Sequence, residues 1–118
     1  MRLRVAIVVG LLTEPPPLIA PMTAIAAEVV MYRTPFCPYC TRAEALLRRK
    51  GAVVREIDVS DDPAARRWLL EVSQQRTVPQ IFINGVSVGG YDDIAALDRR
   101  GVLDRLLAEP PVAVSPAP

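Results

Sequence analysis

Histidine is absent from the 118 residues, and cysteine occurs only twice. The first absence removes the usual general base near neutral pH and the commonest neutral metal ligand. Ser–His or Cys–His nucleophilic catalysis is thereby excluded within one chain. Two thiols without histidine also fall short of the roughly four ligands of a structural zinc site, so no metal is expected. Lysine is nearly missing as well: thirteen of the fourteen basic residues are arginine, a bias to which the sequence attaches no function. With a net charge of +1, the chain lacks the basic field that draws nucleic acid or an anionic membrane. No apolar run reaches the roughly 20 residues of a membrane span. What remains is 51% hydrophobic and 23% charged residues, the composition of one globular domain.

Three segments follow from composition. Residues 1–27 open with two arginines and an apolar stretch, then meet TEPPPLIAPM, which breaks any helix. A secretory signal ending at Ala24-Ile25-Ala26, a true start at Met22 and a flexible extension all stay open; in each case the segment stands outside the expected fold. Residues 109–118 are rich in Pro and Ala and are expected to be disordered. The folded part is expected over 28–108, a size at which a domain folds without staples.

Within that part EVVMYR (28–33) reads as a strand. Residues 39–50 read as a helix on Ala43, Leu46 and Leu47, stopped by Gly51. AVVREIDV (52–59) reads as a second strand. A helix follows, capped by Asp61 or Asp62, started by Pro63, and carrying Ala65, Trp68, Leu69 and Val72 as its buried stripe. QIFI (80–83) and VSVG (86–89) flank Asn84-Gly85, a strong hairpin signal. Residues 92–100 and 102–108 are helical, separated by Gly101. The order β-α-β-α-β-β-α implies an α/β fold: a four-stranded mixed sheet flanked by helices. Strands joined through helices are expected to run parallel, and the hairpin adds an antiparallel partner.

Both cysteines lie in TPFCPYC, just past the first strand where a helix begins. Unpaired N–H groups and the helix dipole favour an anion there, so Cys37 is expected to be the readily ionised nucleophile. Arg33 and Arg42 are placed to add positive potential. Cys40 lies one helical turn on and is the resolving thiol. Pro38 suits the first helical turn because its missing N–H is not needed. As a permanent staple the pair would close too short a loop to stabilise much. A metal half-site would need a second pair, unless two chains shared a cluster. The redox reading is the stronger, because C-x-x-C precedes a helix in a βαβ pattern.

Two further motifs point the same way. In TVPQ (77–80), Pro79 precedes a strand; it is either an ordinary turn proline or a cis one. A cis bond would turn Val78's N–H and C=O outward, to pair with an extended peptide. In GGYDD (89–93), Asp92 either caps a helix or, beside the helix N-terminus, holds the ammonium of a free amino-acid end.

Together CPYC, QRTVPQIFING and GGYDD resemble the dithiol glutaredoxins in order and spacing, over residues 28–107. The resemblance implies a thioredoxin-like fold, and glutathione as co-substrate and partner. It implies that Cys37 forms the mixed disulfide and Cys40 resolves protein disulfides. The implied glutathione contacts are Tyr39, Gln75 at the glycine carboxylate, Thr77, Val78 and Pro79 at the cysteinyl part, and Gly90, Tyr91 and Asp92 at the γ-glutamyl end. Many members carry a lysine three residues before the first cysteine. Here that position is Thr34, and Arg33 beside it is the candidate source of the charge.

The expected function is glutathione-dependent reduction of protein disulfides and glutathione mixed disulfides by a monomer, with disulfide-containing or glutathionylated proteins as partners. A glutathione-ligated iron–sulfur dimer is the alternative, disfavoured because cluster binders usually carry Gly or Ser at the position of Pro38. An exported thiol–disulfide enzyme is another, tied to a signal in residues 1–26. Without such a signal the expected location is the cytoplasm.

Overall fold

The computed structural model describes residues 25–111. Its elements in chain order are β1 (Val29–Arg33), α1 (Pro38–Arg49), β2 (Val54–Asp58), α2 (Pro63–Ser73), β3 (Gln80–Ile83), β4 (Val86–Gly89), α3 (Tyr91–Arg99) and α4 (Val102–Ala108). The expected elements are all present, with ends displaced by one or two residues. The strands form one mixed sheet in the order β2-β1-β3-β4.

Strand alternation divides the core in two. Val29 and Met31 of β1 face the same side as Ile81 and Ile83 of β3 and are buried under Ala43, Leu46 and Leu47 of α1, Ile94 of α3, and Leu103 and Leu107 of α4. Val30, Tyr32 and Phe82 face the other side, against Val59 and Leu69. Three helices therefore cover one face, and α2 covers the other. Full burial of one such aliphatic side chain is worth about 1.5–3 kcal/mol, so the larger cluster dominates the stability of the fold.

The expectation of parallel strands holds for β1 and β2, where Val29 pairs with Val54 and Arg33 with Asp58. It fails for β3, which runs antiparallel to β1 with Tyr32 opposite Gln80. The register supplies the reason. β2 ends beside Arg33, and β3 begins beside Tyr32 at that same end of the sheet. Helix α2 and the loop after it leave and re-enter at one end, so the chain comes back reversed.

Local chemistry explains the helix ends. The Gly51 N–H donates to the Arg48 carbonyl at 2.9 Å and the Ala52 N–H to that of Leu47 at 3.0 Å, a Schellman closure. Gly51 accommodates it at φ +92°. Asp62 caps α2 by accepting the Ala65 N–H at 3.0 Å. The stripe expected on α2 is corrected: Leu69 is buried and Ala65 half-buried, but Trp68 is 42% and Val72 41% exposed. A lone helix on a short sheet face covers only part of its own apolar side. Trp68 is tilted against Tyr32 and stacks on Phe82, with ring centres 5.5 and 5.6 Å apart.

The expectations for residues 1–24 and 112–118 lie outside the described residues. Residues 25–27, left out of the fold on sequence grounds, belong to it. Ile25 and Ala27 pack on the larger core cluster, and the Ala26 and Ala27 N–H groups both donate to the Leu107 carbonyl. Asn84, in the hairpin turn, holds both ends. It exchanges hydrogen bonds with the Glu28 backbone, and its side-chain amide donates to the Glu109 carbonyl at 2.8 Å. Among the described residues no helix is long and apolar enough to cross a membrane.

Candidate active site

Cys37 is itself the N-cap of α1, and Pro38 begins the helix. The extended backbone of Cys37 lets its side chain fold over the first turn, where Sγ accepts the Cys40 N–H at 3.1 Å. The Cys37 carbonyl opens the helical ladder by accepting from Thr41 at 3.0 Å. A sulfur replaces the usual Ser or Asp oxygen at this cap, so the end of the helix that favours negative charge is occupied by a reactive group. The two cysteines are joined as a disulfide, with Cα atoms 5.2 Å apart. Cys37 is partly exposed, whereas Cys40 is fully buried. An incoming reagent therefore meets Cys37 first.

The Val78-Pro79 bond is cis. Cys37 Sγ lies 4.0 Å from the Val78 carbonyl oxygen. Among the described residues the Val78 N–H makes no backbone hydrogen bond, which leaves it available to a ligand. A cleft of about 350 Å³ runs from this edge between Tyr39 on one side and Gln75, Thr77, Val78 and Pro79 on the other, to Gly90, Tyr91 and Asp92. These eight sequence candidates thus converge, brought together from α1, the loop before β3 and the start of α3. Tyr39 is held in place by Tyr91, stacked with ring centres 6.3 Å apart, and by the Arg42 guanidinium 5.3 Å above its ring.

Arg33 and Thr34 do not line the cleft. The Arg33 guanidinium instead meets Glu56 at 2.9 Å and Glu44 at 3.2 Å. Arg48 closes the square, at 2.9 Å from Glu44 and 3.2 Å from Glu56. Strand alternation and two carboxylates thus turn Arg33 into a tie between β1, α1 and β2. The hydrogen bond from Arg48 holds the Glu44 carboxyl below the usual glutamate range, and Glu44 in turn raises Arg48. Besides Arg42 over Tyr39, positive charge near the cleft comes from Arg66 and Arg76, which bound a smaller concavity sharing Gln75, Thr77 and Val78 with it. Arg76 stands between two named candidates, so the sequence already held the signal. Arg66 is brought there only by the placement of α2.

The two aspartates of GGYDD divide the work. Asp93, not Asp92, closes the first turn of α3, its carboxylate accepting the Gly90 N–H at 2.9 Å. Both aspartates line the cleft, but Asp92 makes no side-chain hydrogen bond among the described residues. The two positions before Tyr91 favour glycine. Gly89 sits at φ +97° with Asp93 packed where a Cβ would stand, and a Cβ on Gly90 would come within 3.0 Å of the Pro79 carbonyl.

Comparison with known proteins agrees with this geometry. Residues 29–88 match the family model described as Glutaredoxin. Glutaredoxin 3 of Escherichia coli K12 is 47% identical over 81 residues, covering 69% of this chain and 98% of that protein. The solution structure of glutaredoxin from Brucella melitensis superposes with a TM-score of 0.64 at 49% identity, over 75% of this chain and 95% of that one. A crystal structure of the buckwheat glutaredoxin–glutathione complex superposes with a TM-score of 0.65 at 32% identity, over 69% and 76% of the two chains. A C-x-x-C disulfide capping the helix after β1, a cis-proline loop facing it, and these matches across the whole fold establish that the chain belongs to the glutaredoxin family of thiol–disulfide oxidoreductases.

Proposed function

We propose that this chain uses glutathione to reduce protein disulfides and glutathione mixed disulfides, as a monomer in a reducing compartment. The observation that carries the reading is the sulfur of the partly exposed Cys37 at the head of α1, 4.0 Å from the Val78 carbonyl at the edge of the cleft. An extended cysteinyl residue paired with the Val78 backbone would bring its sulfur to Cys37. Beyond it the cleft offers opposite chemistry at its two ends. Arg66 and Arg76 stand beside Gln75, suited to a carboxylate. Asp92 at the start of α3 suits an ammonium beside a carboxylate held by helix N–H groups. A tripeptide with a carboxylate at one end and a free amino-acid group at the other has this charge pattern.

The chemistry is thiol–disulfide exchange. The Cys37 thiolate attacks the glutathione sulfur of a mixed disulfide; the protein thiolate leaves and Cys37 carries glutathione. A second glutathione thiolate attacks that glutathione sulfur, releasing oxidised glutathione and restoring Cys37. With a protein disulfide, Cys37 attacks one sulfur, then Cys40 attacks Cys37 and frees the second protein thiol. The resulting Cys37–Cys40 disulfide is reduced by two glutathiones. The Cys40 N–H favours the thiolate at Cys37, because it donates where charge develops.

The test is turnover of a small glutathione mixed disulfide with glutathione as reductant, read as formation of oxidised glutathione. Saturable turnover abolished by Cys37→Ser supports the reading. Turnover with a dithiol reductant but none with glutathione would overturn it.

A further inference from the structure

Gln80, the first residue of β3, is the one polar side chain among the described residues that are buried. Its Nε2 donates twice into the loop that walls the cleft, to the Thr77 carbonyl and to Gln75 Oε1, each at 2.9 Å. Its Oε1 is buried without a partner.

An amide is ambiguous end for end, but here one partner is not. The Thr77 carbonyl can only accept, so it must face the Gln80 nitrogen. Reversing Gln80 would set oxygen against oxygen at Thr77. The second hydrogen on that nitrogen then demands an acceptor, which only the oxygen end of Gln75 can supply. Gln75 is therefore fixed with its own nitrogen, carrying two N–H groups, turned away from Gln80 on the residue that lines the cleft. An anion needs donors, and a free Gln75 would present either end. An unpaired oxygen kept at a fully buried position is costly; leucine or methionine would fill the site without it.

We propose that Gln80 is a positioning residue: through Thr77 and Gln75 it locks the loop and aims the Gln75 amide N–H groups at the carboxylate end of the bound ligand. This rests on the glutathione reading, since it assigns Gln75 to the glycine carboxylate. Gln80 touches neither the ligand nor the reacting sulfurs.

The test compares Gln80→Met, which conserves volume, with wild type on two substrates: a cysteine–glutathione mixed disulfide, and the same compound with its glycine carboxylate amidated. The expected result is a roughly three- to tenfold rise in KM for the free acid, the net worth of about one ordinary hydrogen bond, with kcat unchanged. The amide should show no rise. Gln75→Ala should reproduce the effect, and the double variant should add nothing further. A parallel rise for both substrates, additive losses, or no change with either would overturn the proposal. Side-chain amide NMR tests the lock without ligand. The Gln80 NH2 protons should exchange slowly, and the Gln75 NH2 resonances should move in Gln80→Met; rapid exchange at Gln80 would overturn the lock. A wild-type protein inactive with glutathione would instead remove the parent reading and leave the lock to be judged by these spectra.

Discussion

The Cys40 amide donates to the Cys37 sulfur at 3.1 Å, so in the proposed mechanism the resolving residue's own backbone supports the attacking atom. In the reduced protein this contact, with the helix N-terminus behind it, favours ionised sulfur. Cys37 is expected to alkylate with an inflection below the free-cysteine value of about 8.5. Iodoacetamide rates against pH will show this, and an inflection above that value would contradict the assigned role. Cys37→Ser is expected to abolish all disulfide exchange.

Burial separates the second cysteine from the first. Cys40 is fully buried, so in the proposed mechanism it acts on Cys37 and not on incoming disulfides. Cys40→Ser is expected to retain turnover of glutathione mixed disulfides and to lose most reduction of intramolecular protein disulfides. Parallel assays on the two substrate types check the split; equal losses would contradict it.

The adjacent aspartates predict opposite phenotypes. Asp93→Asn weakens the contact to the Gly90 N–H, and Asp93→Ala removes it. The alanine variant is expected to lose about 1 kcal/mol of stability, as for other helix caps, read from the urea midpoint. Asp92→Asn is expected to leave that midpoint in place and to raise KM for the glutathione substrate.

Asn84 predicts a stability effect remote from the cleft. Its side chain joins Glu28 to Glu109 across the ends of the fold. Asn84→Ala also forfeits the ease with which asparagine adopts φ +52°. A loss of about 1–3 kcal/mol is expected, lowering Tm by roughly 4–8 °C per kcal/mol for a domain of this size, with kcat/KM held at the same temperature.

Acid should loosen the square of Arg33, Glu44, Arg48 and Glu56. The folded Glu44 carboxyl lies below its ordinary value, chiefly through the hydrogen bond from Arg48. Its stabilisation is therefore complete above the unfolded value of about 4.3 and is lost as pH falls through the lower folded value. Glu44→Gln is expected to flatten the fall of stability with pH below that point, measured by urea titration at several pH values. An unchanged slope would remove Glu44 as a cause.

Much of this was legible along the chain because the signals are local. A glycine after Lys50, an aspartate before Pro63 and Asn-Gly between two apolar runs act over three or four residues, and each ended or turned the chain where expected. The cysteine pair was legible for the same reason: its chemistry depends on one helical turn. Strand direction was not. Whether β3 returned parallel or reversed depended on which end of the sheet α2 delivered it to, a matter of packing.

The sequence by itself determined the reactive group and its place at a helix start, since three-residue spacing and a capping position are properties of neighbours in the chain. Only the tertiary structure decided which charges serve the cleft. It took Arg33 into an ion-pair square, brought Arg66 beside Arg76, gave Asp93 the cap and left Asp92 free. Charges choose partners by distance in space, and those distances exist only once sheet and helices have closed on one another.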